Sequence, residues 1–234
     1  MSDVILEVFN LSKTFAEGDR QRRVFSNLNA SIRRGEFVVL LGRSGSGKST
    51  LLNLISGIDL PSGGEVRIGG RNLTGMTEQQ RTLFRRDHIG FVFQFYNLIP
   101  TLNVMENLLL PLELKKSLDA DSQRRALDIL QQVGLEDRSA SYPDRLSGGE
   151  QQRVAICRAL IHNPLVLLAD EPTGNLDAES GGEVLTLLDQ LIRKNRMTAL
   201  MVTHSAEVAR LADRVITIKD GGLVETAAST EAVR

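Results

Sequence analysis

The stretch FVVLLGRSGSGKST, Phe37 to Thr50, constrains the chain more than any other. Five apolar residues read as a buried strand and Lys48 to Ser56 as a helix, so the glycine-rich segment between them is a strand–loop–helix connection. Gly42-Arg43-Ser44-Gly45-Ser46-Gly47-Lys48-Ser49 fits the pattern G-x-x-x-x-G-K-[ST]. Glycines there let backbone N–H groups wrap phosphate oxygens, while the helix start adds partial positive charge. In that setting Lys48 reaches the β- and γ-phosphates of a nucleotide, and the Ser49 hydroxyl ligates Mg²⁺. The bland alternative is a flexible loop with a chance lysine, and a chance match in a chain of this kind is on the order of one in a hundred.

Other residues gain meaning beside that loop. LVLLADE ends a buried strand in Asp170 and Glu171. In open α/β folds the carboxyl ends of parallel strands are where ligands sit. There Asp170 would hold Mg²⁺ and Glu171 would orient or deprotonate an attacking water. Gln94 and His204 close IGFVFQ and TALMVTH in the same way. An amide can touch both Mg²⁺ and the water, and an imidazole can hydrogen-bond a γ-phosphate. His88 and His162 lack such a setting and read as surface or packing residues. Phe15, one of ten aromatics, reads as core on pattern alone, with stacking on a nucleobase as the alternative. Cys157, the single cysteine, excludes an internal disulfide and reads as a small packing residue inside a helix.

Strand-like and helical runs alternate, the mark of an α/β protein with a largely parallel sheet. VILEVFNL, NASI, EFVVLLG, a short strand in PSGGEVRIGG, HIGFVFQ, LVLLADE, TALMVTH and RVITIKDG read as strands, with a polar helix near Thr77 to Arg86. From Thr101 to about Ile161 three helix-like stretches appear without a convincing strand. The expected layout is an α/β core interrupted by a helical insertion of about sixty residues.

The bulk numbers limit the partners. The 234 residues carry 28 basic and 29 acidic side chains, a net charge of −1 without like-charge runs, so nucleic acid is not an expected partner. The longest apolar runs are far short of the roughly 18 to 20 residues that cross a bilayer. MSDVILEV lacks a signal-peptide pattern. The expected location is cytoplasmic, with any membrane role coming through a partner.

A second anion device is written at Ser147-Gly148-Gly149, which opens an amphipathic helix. The ordered set Gly42 to Ser49, Gln94, LSGGEQQ, LLADEPTGNLD and His204 resembles the nucleotide-binding subunit of ATP-binding cassette (ABC) transporters, from about Ile5 to Glu225. The resemblance implies one cassette over 1–234: a phosphate-loop α/β core (about 1–94 and 162–225) with an N-terminal antiparallel β part, and an inserted helical subdomain (about 95–161). It implies ATP and Mg²⁺ as cofactors, with Phe15, Gly42, Ser44, Gly45, Ser46, Gly47, Lys48, Ser49, Thr50 and Gln94 binding the nucleotide. Ser49, Gln94 and Asp170 are the implied metal ligands, and Glu171, His204, Gln94 and Lys48 the implied catalytic set.

By the same resemblance two copies pack head to tail around two ATP, so that Ser147, Gly148 and Gly149 bind the γ-phosphate held by the partner chain. Asp177 would cross the interface toward the opposite loop. Phe15 stands where the family usually has the tyrosine that stacks on adenine; it keeps the ring face and drops the hydroxyl. QFYNLIPTLNVMENLLLPL, Gln94 to Leu112, and EPTGNLD look like the lipoprotein-releasing, macrolide-exporter and cell-division ATPases. Integral membrane permease subunits are then the second partner, met through Phe95, Tyr96, Leu98 and Ile99, unless that cluster packs inside its own subdomain. The 99 positions from Lys48 to Ser147 leave no room for the long coiled coils of DNA-repair members, and a soluble iron–sulfur-assembly type fits less well.

Overall fold

The computed structural model describes residues 3–18, 20–43, 45–219 and 221–227. Two sheets form its frame. The first is antiparallel, with strand order β2-β1-β4-β5: β1 (Val4–Glu17), β2 (Arg20–Arg33), β4 (Gly63–Ile68) and β5 (Arg71–Asn72). The second has order β10-β9-β3-β8-β7-β6: β3 (Phe37–Leu41), β6 (Ile89–Val92), β7 (Val166–Asp170), β8 (Ala199–Thr203), β9 (Arg214–Lys219) and β10 (Gly222–Ala227). It is parallel except for β10, which runs antiparallel to β9. This is the expected fold class.

The helices are α1 (Lys48–Ile55), α2 (Glu78–His88), α3 (Val104–Leu114), α4 (Ser122–Gln132), α5 (Gly148–Leu160), α6 (Ala178–Lys194) and the short α7 (Ala206–Ala209). Strand β3 shows why the parallel sheet is buried on both faces. Phe37 and Val39 enter a cluster with α3 to α6, while Val38 and Leu40 enter another with α1 and the antiparallel sheet. Such a strand reads as an unbroken apolar run. The helical segment shares its apolar cluster with the sheet through Leu108, Leu130 and Ile156, packed with Leu167 and Met201. Cys157 lies fully buried there, and burial pushes its thiol up to about 12, so it is an inert packing group.

Two strands are longer than their sequence suggests. VILEVFNL and NASI lie inside fourteen-residue strands, because register shifts between Val8 and Leu11 and again through Lys13 break the two-residue alternation. Asn10 and Asn27 take left-handed φ angles of 48° and 53° in these strands. HIGFVFQ is shorter than expected: Val92 is the last residue paired with β7, and the chain leaves the sheet before Gln94. The edge strand β10 has no counterpart in the sequence reading.

Candidate functional site at the sheet edge

Helix α1 begins without a side-chain cap. Its N-cap, Gly47, has φ 97°, and the first intrahelical bond runs from Leu51 N–H to the Gly47 carbonyl. The N–H groups at the start of such a helix face outward without intrahelical acceptors, which suits an anion. A Cβ on Gly47 would lie 2.7 Å from both the Phe25 ring and Val24, so glycine is required by packing as well as by φ. Lys48 is only 6% exposed, and its Nζ donates to the carbonyls of Gly42 (2.8 Å) and Arg43 (3.1 Å). The Ser46 hydroxyl is buried with no hydrogen-bond partner, and it lies 2.6 Å from where a Gly42 Cβ would stand. A buried ammonium held mainly by carbonyls and an orphaned hydroxyl are the marks of a cradle completed by an anionic ligand. Gly45 has φ 77° and an open side toward solvent, and Thr50 is half-buried in the first turn. Ser44 lies outside the described residues.

The ends of β7 and β8 meet this cradle. Burial pushes the Asp170 carboxyl above its ordinary 3.8, a hydrogen bond from the Ser49 side chain pulls it down, and the Glu171 charge pushes it up again. A half-buried carboxylate against a hydroxyl, next to a phosphate cradle, is a donor set that fits Mg²⁺. Glu171 sits at φ 44°, a left-handed conformation that is uncommon outside glycine and asparagine. Its N–H is tied to the Val202 carbonyl at 2.9 Å. Its Oε1 lies 3.9 Å from Lys48 Nζ and its Oε2 3.2 Å from His204 Nδ1. Lys48, Glu171 and His204 thus form one chain of contacts, with the His204 side chain 69% exposed at its outer end. His88 packs on Phe84 and His162 is buried near the Ile89 carbonyl, both away from this constellation.

Gln94 is turned elsewhere. Its Nε2 donates to Asn175 Oδ1 (3.2 Å), and Asn175 Nδ2 returns a bond to the Gln94 carbonyl (3.1 Å). Asn175 was missed by sequence reasoning, since a pairing 81 residues apart leaves no local signal. Phe15 is not in either buried cluster. It is half-buried on β1, with Lys13 Nζ 4.7 Å and the Arg22 guanidinium 5.8 Å from its ring centroid. Pattern alone placed it in the core. The strand instead carries it past the apolar part of the sheet, to where cations flank its ring.

The second glycine pair lies apart from the first. Ser147 caps α5 with a reciprocal box: its Oγ accepts from Glu150 N–H (3.2 Å), and its N–H donates to Glu150 Oε2 (2.7 Å). The Ser147 N–H holds the Glu150 carboxyl below the usual carboxylate range. A Cβ on Gly148 would fall 2.7 Å from the Tyr96 hydroxyl, and one on Gly149 would face Ser180 at 3.6 Å. Among the described residues, this helix start shares no hydrogen bond with the loop from Gly42 to Thr50. Asp177 caps α6, accepting from Ser180 N–H (2.9 Å) and Oγ (2.8 Å). Among the described residues no helix is long and apolar enough to cross a membrane.

Comparison with known proteins decides the family. The ABC transporter family profile matches residues 25–174. The chain belongs to that family. As a member it is an ATP-hydrolysing ATP-binding protein. It is 54% identical over 220 residues to the uncharacterized ABC transporter ATP-binding protein Rv0986 of Mycobacterium tuberculosis, spanning 94% of this chain and 89% of that one. It is 43% identical to the lipoprotein-releasing system ATP-binding protein LolD of Chromohalobacter salexigens, spanning 97% and 95%. A solved dimeric structure of the ATP-binding cassette MJ0796, in a post-hydrolysis state bound to ADP and Pi, superimposes with TM-score 0.86 at 41% identity, covering 96% and 99%.

Proposed function

We propose that this ATPase is the motor subunit of a membrane transporter complex, driving permease subunits from the cytoplasmic face of the membrane. Residues 1–234 act as one cassette, with an α/β core over about 1–94 and 162–225 and a helical part over about 95–161. Two copies close head to tail around two ATP, as a two-fold pair in which each nucleotide lies between the loop of one copy and the α5 start of the other. The observation that carries this reading is the pair of anion seats: one holds an orphaned Ser46 hydroxyl and a buried Lys48, the other is a capped helix start that shares no hydrogen bond with it among the described residues. The dimeric cassette MJ0796 supports it.

Within the sandwich Lys48 and the loop from Gly42 to Thr50 hold the phosphates, and the Phe15 ring stacks on adenine. Ser49 and Asp170 would hold Mg²⁺, joined by Gln94 if its amide leaves Asn175, and the bound ion would supply positive charge against the phosphates. Glu171 orients the attacking water and takes its proton, while His204 steadies Glu171 and the γ-phosphate. Ser147, Gly148 and Gly149 of the partner take up charge on the transferred phosphoryl group through helix-start N–H donors. Asp177 reaches the partner's loop from the start of α6. Glu171→Gln is expected to lower kcat by about 10²–10⁴-fold and to hold an ATP-bound dimer. Light scattering that finds the variant monomeric in saturating ATP and Mg²⁺, alone and with its membrane partner, overturns the sandwich.

The subgroup rests on the LolD relatives and on Gln94 to Leu112, which favour an exporter or extractor of the lipoprotein-releasing or macrolide type. Phe95, 69% exposed, and its neighbours border a groove of about 370 Å³ with Pro143, Asp144 and Gln151, a fitting seat for a permease segment. A cell-division ATPase that signals across the membrane shares this mechanism. Capture of tagged Glu171→Gln protein from detergent-solubilised membranes tests these readings. A polytopic partner with a large extracytoplasmic domain supports the membrane-complex class, the nature of that domain separates transport from cell-division signalling, and soluble partners alone point to a cytosolic ABC ATPase.

A further inference from the structure

The Phe15 ring stands outside both apolar clusters, so hydrophobic packing does not set its orientation. What lies over it is an ammonium. Lys13 is 8% exposed, and its Nζ sits 4.7 Å from the ring centroid. Two further partners fix that ammonium: Nζ donates to the Leu60 carbonyl at 2.8 Å and meets Asp59 Oδ2 at 2.7 Å. With two of its three N–H bonds so directed, the ring face takes the third. Arg22 also approaches the ring, at 5.8 Å, but its guanidinium is largely exposed and tied to Glu17 on the same hairpin. Asp59 and Leu60 belong to the loop that follows α1. The Ile58 and Asp59 N–H groups both donate to the Asn53 carbonyl inside that helix (3.0 and 3.1 Å), and the Leu60 N–H donates to Asp59 Oδ1 (2.7 Å). Ser62 closes the joint on the strand side, its N–H donating to the Ser12 carbonyl (2.8 Å) and its Oγ accepting from Thr14 N–H (3.1 Å). The strand that carries Phe15 is thus fastened to the helix that opens on the phosphate loop, and Lys13 is the side chain that touches both the joint and the ring.

We propose that Lys13 is a positioning residue for the nucleobase: clamped between Asp59 and the Leu60 carbonyl, its ammonium holds the Phe15 ring as a platform fixed relative to helix α1. The proposal rests on the reading that Phe15 stacks on adenine, and adds what orients that ring. A nucleotide is gripped at its base and at its phosphates. The two grips reinforce each other when their separation is set before binding, because a mobile ring would have to be ordered at the moment of contact. Phenylalanine has no hydroxyl through which a hydrogen bond could anchor it, so support has to come from the face of the ring. A nearly buried cation supplies it, since attraction between an ammonium and the ring quadrupole strengthens as water is excluded. Asp59 keeps that ammonium from being a lone buried charge. Lys13 therefore serves the base end of the nucleotide and contributes nothing to the phosphate end.

The test is a double-mutant cycle in the full chain, with affinity for ATP and Mg²⁺ read by titration calorimetry for the parent, Lys13→Met, Phe15→Ala and the pair. Lys13→Met is expected to weaken ATP binding about five- to tenfold, the scale of one partly buried cation–ring contact. Once Phe15 is already alanine, it should add less than about twofold. Inorganic tripolyphosphate, which carries no base, should bind the parent and Lys13→Met alike. Lys13→Arg should recover most of the ATP affinity, since a guanidinium also lies over rings and pairs with carboxylates. Unchanged ATP affinity in Lys13→Met overturns the proposal. So does a loss that persists in full beside Phe15→Ala, or an equal loss for tripolyphosphate, either of which makes Lys13 a structural lysine. If Lys13→Met does not fold, Asp59→Asn takes its place in the cycle, with an expected loss of about two- to threefold that disappears beside Phe15→Ala, and no loss or a persisting one counts against the proposal in the same way. A Phe15→Ala variant that binds ATP as the parent does refutes the stacking itself, and the inference falls with it.

Discussion

The two helix starts proposed to face phosphate are built on opposite plans. Helix α1 opens on a left-handed glycine with no cap, a buried lysine and a hydroxyl without a partner. Helix α5 opens on an extended serine whose capping box satisfies Ser147 and Glu150 reciprocally, leaving the first-turn N–H groups of Gly148 and Gly149 without an intrahelical acceptor. The first is incomplete without an anion. The second is stable alone and offers donors at little cost to itself. The proposed sandwich, with one nucleotide seat and one lending surface per chain, calls for this asymmetry, since only the first must hold a ligand when the chain stands by itself.

The comparison can be broken most sharply at the lending surface. Ser147→Arg should lower kcat at least about a hundredfold, the scale of losing a transition-state donor, while the monomer's affinity for nucleotide, read by calorimetry, stays unchanged. Equal loss of both would mean that α5 shapes its own chain's site. Next comes the seat. Gly47→Ala forces a Cβ into Phe25 and Val24 at φ 97°. It should cost about 1–3 kcal/mol of stability through overpacking and weaken nucleotide binding with it. Chemical denaturation with a parent-like midpoint would show that the packing there is slack.

A third change sharpens the picture of the seat's rim. Phe15→Ala should weaken nucleotide binding by about 1–3 kcal/mol, the worth of one aromatic stacked on a base. Titration calorimetry showing no change would assign the ring to its flanking cations, Lys13 and Arg22, instead. The smallest effect concerns Asp170. Burial raises its carboxyl above 3.8, so the folded chain holds that proton more tightly than the unfolded one. Its stabilising effect is therefore complete below the unfolded value and is lost as pH rises through the raised folded value. Asp170→Asn should melt at a higher temperature than the parent at pH 7, the gap closing as pH falls below the ordinary carboxylate range. A gap that does not vary with pH would rule out burial of the charge as its cause.

Much of the site is legible in local sequence because each part is short and sits at an element boundary. The run from Phe37 to Ser49, the pair Asp170–Glu171 and the start at Ser147 each combine a periodic apolar stretch with the residue types that end or begin it. Asp177 at the α6 cap and His204 just past β8 follow the same rule. Where the rule fails, a nonlocal contact has won. Bulges in β1 and β2 scramble the alternation that marks a strand. Segment 93–97 leaves its strand early because side chains from α5 and from Asn175 take its carbonyls. Phe15 stays out of the core because the strand beneath it outruns the apolar layer.

The sequence by itself determined most of the element types and placed the glycine-rich loop with its lysine, the carboxylate pair at the end of β7 and the serine that starts α5, since all of these follow from spacing along a few residues. Only the tertiary structure decided that Glu171 takes a left-handed backbone between Lys48 and His204, and that Gln94 rests on Asn175. It also decided that Arg158 and Gln152 carry the segment after Gln94 on helix α5. Those arrangements depend on groups far apart in the chain that meet once strands β6, β7 and β8 are laid side by side, and no local pattern encodes a distance across a sheet.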